Sequence, residues 1–379
     1  MTSLVQRLDE LLGRRVAMRA LAVLRILAGP IVLFHLQPFL EKAAGGVIYR
    51  DVFNQPYTPW YPDLPRSLYV TVLVAGAVGA VAMTIGLFTR AATLTVLAVV
   101  AYNLFLSTTH YHHNRGYLVI VLAALAVVPC GRELSVDAWL RRRRRLPALD
   151  RSAPGWPLWL LRFEAATVYG ASGLSKLLDA DWFAGTVTWD RMVSVQDLMA
   201  ARSVPGWVID VVADRGFHTY AAKVIVITEL FIAVGLWWRA TRYAAVWVAV
   251  CFHVAIELTA SVQVFSYLAV AALLIWAVPS TRDRTLEVDL ATPAGRRIAS
   301  TVRRLDWLAR FAVVDSPDGN TREGPAGVTD RDGTVYHGMP ALIFIGSRLP
   351  LTAWFALPLL LLPAVRRARG SEPLVPAAA

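Results

Sequence analysis

The chain is short of charge and of cysteine. Charged residues make up 17% of its 379 positions, where a soluble domain carries about 25%. The two cysteines, Cys130 and Cys251, lie far apart with no CxxC between them, which excludes a dithiol redox motif and a cysteine zinc site. Both read as inert buried thiols. The amino terminus is polar and basic rather than a cleavable signal peptide. Serine–histidine triads, phosphate loops and dinucleotide fingerprints are also missing. The net charge of +11 has no aromatic or groove-reading context around it, so nucleic acid is excluded as a partner.

What remains is apolar sequence: 56% hydrophobic residues and a mean hydropathy of +0.49. A spanning helix takes about 20 apolar residues, fewer where neighbours shield its ends. Eight runs qualify: Ala20–Leu36, Leu68–Leu87, Ala91–Leu106, Gly116–Pro129, Pro157–Ser175, Ala222–Trp238, Tyr243–Glu257 and Val262–Val278. The expected fold class is therefore all-α, a polytopic transmembrane bundle of about eight spans with a small cytoplasmic tail.

Arginines fix the orientation through the positive-inside rule. Arg7, Arg14, Arg15, Arg19, Arg90, the run Arg141–Arg145, Arg239, Arg242 and the arginines beyond Val278 all fall on one side. That side is read as the cytoplasm, with both termini there and the chain in the cell membrane. Leu4, Val5, Leu8, Leu11 and Leu12 at helical spacing make residues 1–19 an interfacial amphipathic helix. Residues 20–280 form the transmembrane domain and 281–379 a cytoplasmic tail, with Leu349–Leu362 as an element of it. The long connection Asp179–Ala221, rich in tryptophan, reads as a lid or a set of half-helices on the outer side.

An ionisable residue inside a membrane span marks function by default. Lys176 closes the fifth run in Gly173-Leu174-Ser175-Lys176, followed by Asp179 and Asp181. Arg162, Tyr169 and Lys176 share its helical stripe, with small residues from Ala166 to Gly173 that admit a neighbouring helix or a flat ligand. Desolvation would free the Lys176 amine to act as a base; an ion pair with Asp179 or Asp181 would oppose that, and Asp179 could equally cap the next helix. His253 and Glu257, four apart, face the same way as a relay or an interhelical pair. Glu229 is a further intramembrane carboxylate, with Arg25 and Arg162 as candidate partners. Asn114 and Arg115 open the fourth run and suit an anion or a substrate. No metal is expected; the alternative is a site on His110, His112 and His113.

Several stretches together resemble a known family: Leu24-Arg25-Ile26, Gly86-Leu87-Phe88-Thr89-Arg90, His113-Asn114-Arg115-Gly116-Tyr117-Leu118, Leu161-Arg162, Gly173-Leu174-Ser175-Lys176, Leu178-Asp179-Ala180-Asp181-Trp182, Phe252-His253 and Phe265-Ser266-Tyr267. From about Ala20 to Val278 the chain is similar to the HTTM domain, the membrane part of vitamin K-dependent gamma-carboxylase and its bacterial relatives. The resemblance implies a lysine base at Lys176 acting on a hydroquinone, with a histidine at His253 and an asparagine at Asn114. Arg115 departs from it, since the carboxylase has histidine there. The carboxylase's large extramembrane domain has no counterpart, so carboxylation of a protein is not expected. The tail, from Leu305-Asp306-Trp307-Leu308 through Asp332–Gly338 to Trp354–Arg367, resembles the end of a thioredoxin-like DCC domain without its cysteines.

The functional expectation is a membrane enzyme. Lys176, with His253 and Glu257 as catalytic groups, would abstract a proton from a small amphipathic or lipid-soluble substrate, leading to oxygenation, carboxylation or rearrangement, for example in natural-product biosynthesis. Asn114, Arg115, Arg162, Tyr169, Asp179 and Asp181 would bind that substrate. The cofactor is open, a quinol or hydroquinone being the one the resemblance implies. Membrane lipids are the remaining partners. The alternatives are a non-catalytic carrier or assembly partner and a quinone or anion binder.

Overall fold

A computed structural model describes residues 3–47, 56–58, 60–61, 64–108, 111–259, 264–276, 282–316, 324–363, 365 and 370–371. The chain is mostly helical and divides into two compact units, Met1–Trp276 and Ala277–Ala379.

The first unit opens with α1 (Leu4–Gly13), whose start is fixed by a reciprocal capping box between Ser3 and Gln6 and which buries no residue. Strand β1 (Arg15–Ala17) pairs antiparallel with β2 (Ser152–Pro154). Each expected span coincides with a helix: α2 (Arg19–Ala44), α3 (Arg66–Ile85), α4 (Thr89–Phe105), α5 (His113–Val127), α7 (Trp156–Leu178), α12 (Arg215–Gly235), α13 (Arg242–Thr259) and α14 (Val264–Ala272). Among the described residues α2, α3 and α12 are long and apolar enough to cross a membrane. A short helix α6 (Val136–Arg143) carries the arginine run. The connection read as a lid is built of four short helices, α8 (Ala180–Phe183), α9 (Thr186–Val193), α10 (Gln196–Ala201) and α11 (Gly206–Ala213).

Helices in lipid gain little from burying apolar surface against each other, so close approach and hydrogen bonds hold them. The α3–α4 turn illustrates this. Gly86 and Phe88 both take positive φ, and a Cβ on Gly86 would run into Ser135 and the Arg25 guanidinium. The Asp137 carboxylate accepts from the Phe88 and Thr89 amides at 2.9 and 2.8 Å and from the Thr89 hydroxyl at 2.7 Å. Buried Arg25 donates to the carbonyls of Cys130 and Leu134 at 3.4 and 2.6 Å. The Arg25 and Gly86–Thr89 parts of these landmarks thus belong to one brace. Neither cysteine forms a disulfide; Cys130 is buried, whereas Cys251, expected to be buried, is exposed on α13.

The second unit corrects the all-α expectation. Its five-stranded sheet has the order β4-β3-β5-β6-β7, from β3 (Arg284–Val288), β4 (Phe311–Asp315), β5 (Gly327–Thr329), β6 (Thr334–His337) and β7 (Gly370–Ser371). β3 and β4 are parallel, joined through α15 (Pro293–Leu305), and the remaining pairings are antiparallel. Helices α16 (Gly338–Arg348) and α17 (Ala353–Leu359) follow. Leu286, Val288, Val302, Val328, Phe344 and Ile345 form its own core. The alternation of buried and half-buried residues in β3 is the period-two pattern of a strand. It is hidden in composition because the segment is charged and rich in arginine.

Candidate active site

Tyr169, Ser172, Gly173 and Lys176 lie at intervals of three and four on α7, so they form one face. That face meets α12. Gly173 permits the approach: a Cβ there would sit 3.1 Å from Leu230 and 3.2 Å from the Glu229 Cβ. The small-residue stripe therefore serves helix packing, and the closeness sets a carboxylate beside the lysine. Lys176 Nζ lies 2.6 and 2.7 Å from the two Glu229 carboxylate oxygens and donates to the Ser172 hydroxyl at 2.6 Å. Ser172 in turn donates to Glu229 Oε1 at 3.0 Å. The side chains are 16% and 5% exposed, so the pair is largely out of solvent. The Trp182 ring, from α8, covers it, with Nζ 5.0 Å from the ring centre.

One further turn along the stripe, the Tyr169 hydroxyl is 2.7 Å from His253 Nε2 on α13. His253 is buried, and its Nδ1 has no hydrogen-bond partner among the described residues. If Nε2 accepts from the tyrosine, Nδ1 carries a proton that points at nothing. Phe265 of α14 packs edge-on against both His253 and Tyr117 of α5, at 5.4 and 6.4 Å between ring centres. Polar contacts thus join α7 to α12 and α13, and ring contacts extend the cluster to α5 and α14.

This arrangement corrects several expectations. Lys176 pairs with Glu229 rather than with Asp179 or Asp181, because α12 sits directly on its face while the aspartates lie beyond the helix end. Asp179 caps α8 through the amides of Asp181 and Trp182 at 2.9 and 3.1 Å, and Asp181 is exposed. The unpaired amine is not found: a lysine bracketed by both oxygens of a carboxylate rests as an ion pair. Glu229 does not meet Arg25 or Arg162. Arg162 lies about 21 Å from Lys176 along α7 at 1.5 Å per residue, and donates twice to the Ile275 carbonyl at 3.0 and 2.9 Å. It stacks between Trp159 and Trp276.

Glu257 turns away from His253 toward the lid, where Arg202 lies 3.9 Å from its carboxylate and also donates to its backbone carbonyl. Asn114 is buried, its backbone N–H donating to His112 Nδ1 at 3.3 Å, and Arg115 lies over the Phe39 ring at 5.0 Å. His110 falls outside the described residues, as does the side chain of His113; among the described residues no cluster could hold a metal ion.

Ser172 and Trp182 escaped sequence reasoning as members of the site. The i, i+4 spacing of Ser172 and Lys176 was the available signal for the first. For Glu229 the signal was antiparallel geometry, since α7 and α12 run in opposite directions and bring Glu229 to the depth of Lys176.

The HTTM domain profile matches residues 14–280, most of the chain. The chain belongs to the HTTM domain family. The match covers every helix that contributes to the Lys176–Glu229 site. No curated protein and no solved structure matches it.

Proposed function

We propose that this HTTM-domain protein is a multi-pass membrane enzyme whose base is the Lys176–Glu229 pair acting as a unit. All eight apolar helices of the first unit span the bilayer in this reading. The arginine-rich end lies in the cytoplasm, and the second unit is a degenerate DCC-like domain. The observation that carries the reading is a titratable pair held out of water on the same helix face as Tyr169, whose partner His253 has a ring nitrogen unpartnered among the described residues, the pair being covered by Trp182 of the short-helix connection.

The path for a proton within the pair is short, Nζ lying 2.6 and 2.7 Å from the two carboxylate oxygens. The Lys176 ammonium passes its proton to Glu229, leaving an amine and a carboxylic acid. The amine takes a proton from the substrate and again becomes an ammonium, now facing the substrate anion. The acid keeps the first proton, so charge and protons balance. Tyr169 and His253 orient the substrate from the neighbouring turn, and Trp182 excludes water.

The substrate class is a small amphipathic or lipid-soluble molecule with a weakly acidic O–H or C–H. A quinol is of this class; Lys176 would hold its hydroxyl and Trp182 its ring. When bound it would supply an oxidisable oxyanion.

The test compares lipid-soluble extracts of cells making the wild type, Lys176→Arg and Glu229→Gln at matched membrane levels. A wild-type-dependent product that both variants lose by about a hundredfold or more supports the reading. A product retained by Lys176→Arg contradicts it, since arginine keeps the charge without yielding a proton. The second reading is a non-catalytic carrier or assembly partner. What favours it is the closure of the pair, with both carboxylate oxygens engaged as a helix-to-helix clamp.

A further inference from the structure

At the arginine-rich end of the first unit, away from the Lys176 site, a cleft of about 490 Å³ is lined by Arg15, Arg90, Arg132 and Arg141. Its other walls include Val127, Val128, Leu149 and Pro154. The acid in the lining, Asp137, has its carboxylate engaged by the α3–α4 turn. Arg15 is neutralised by Asp150 at 2.6 Å. Arg132 donates to the backbone carbonyls of Asp150 and Ser152 and Arg141 to that of Pro147, so both keep their charge. Arg90 is exposed and has no partner among the described residues. The buried Nε of Arg141 likewise has no acceptor there. Three cations without a carboxylate partner among the described residues line one concavity, and one of them has a buried donor with no acceptor there.

The lining also has an open apolar part, Val127 and Leu149 being 55% and 40% exposed. Directly before Arg15 comes α1, whose Leu4 and Val5 are each 74% exposed; an amphipathic helix with such a face lies in the membrane surface.

We propose that this cleft binds the phosphate of an anionic amphiphile, Arg90, Arg132 and Arg141 holding the phosphate oxygens and the Val127–Leu149 wall taking the first methylenes. A phosphodiester headgroup and a free phosphate share the anion chemistry, and basic pockets at the ends of membrane helices are suited to it. The apolar wall favours the lipid as the source.

The full-length protein in nanodiscs of mixed phosphatidylglycerol and phosphatidylcholine, ejected and weighed by native mass spectrometry, tests this. The wild type retains phosphatidylglycerol over phosphatidylcholine by about tenfold or more, as expected for two or three arginine contacts. Arg90→Ala/Arg141→Ala abolishes that preference, while Arg142→Ala/Arg144→Ala, on the same basic run but outside the lining, keeps it. Should the double variant fail to fold, Arg90→Gln alone, at an exposed position, reduces the preference severalfold. Inorganic phosphate that raises the melting temperature in phosphatidylcholine discs, in the wild type and not in Arg90→Gln, assigns the site to a soluble phosphate instead and keeps the anion assignment. The proposal is overturned if both lipids are held equally and phosphate has no effect. It is also overturned if the preference survives in the cleft variants or disappears equally in the control.

Discussion

The two ends of α7 hold their buried cations differently. At one end Arg162 gives its fork to the Ile275 carbonyl, as Arg25 does to Cys130 and Leu134 and Arg242 to Leu236 and Trp237. The carbonyls that Arg162 and Arg242 meet lie at the C-terminal ends of helices, where the last carbonyls have no partner within the helix and the dipole is negative. A guanidinium cannot release its proton there, so the contact is permanent and architectural. At the other end Lys176 meets a carboxylate, and both members of that pair can change protonation. The difference separates bracing from chemistry on a single helix.

The largest effect that could break this contrast comes from halving the pair. Glu229→Ala strands an ammonium in the interior and is expected to destabilise the protein by about 3–5 kcal/mol, seen as a lowered melting temperature in detergent. Lys176→Met/Glu229→Leu should restore most of that loss, because two apolar groups of similar volume need no partner. No such rescue is expected at the other end. Arg162→Ala should cost about 2–3 kcal/mol by removing charged hydrogen bonds to Ile275, and Arg162→Lys should recover less than half, lacking the planar fork.

Smaller is Tyr169→Phe, which removes the hydroxyl that meets His253 and should cost about 1 kcal/mol of stability in the same melting assay. Its larger consequence is expected in product yield, about tenfold or more, since the His253 ring loses the hydroxyl that orients it. Smallest is the pH response of the β1–β2 connection. The Ser152 amide and hydroxyl, then Arg15, hold the exposed Asp150 carboxyl down to about 2 from an ordinary 3.8. Its contribution is present above 3.8 and is lost as pH falls through about 2. Hydrogen exchange of the Ser152 amide should therefore speed up, relative to the helices, only toward the lower end of that window.

Much of the first unit was legible because hydropathy fixes where helices lie, and all eight runs coincide with one. Their ends were less so: α7 extends to Leu178 and α12 begins at Arg215, since polar residues at helix ends leave no hydropathy signal. Partner choice was read poorly. Asp179 looked like a partner for Lys176 by proximity in sequence, yet a carboxylate just past the end of one helix is placed to cap the next one. Glu257 illustrates the same limit, since four-residue spacing puts it on the side of His253 but Arg202, just past α10 and far away in sequence, takes it. The sheet of the second unit was not read from the sequence, because its strands are short and interrupted by charged loops.

Whether the pair is needed for chemistry as well as for stability separates an enzyme from a clamp. The decisive measurement is the yield of the wild-type-dependent product from membranes carrying Lys176→Met/Glu229→Leu, with the melting temperature recorded on the same preparation. A variant that melts close to the wild type and makes no product is the predicted result. A variant that melts close to the wild type and still makes the product at the wild-type level would show that Lys176 and Glu229 only clamp α7 to α12.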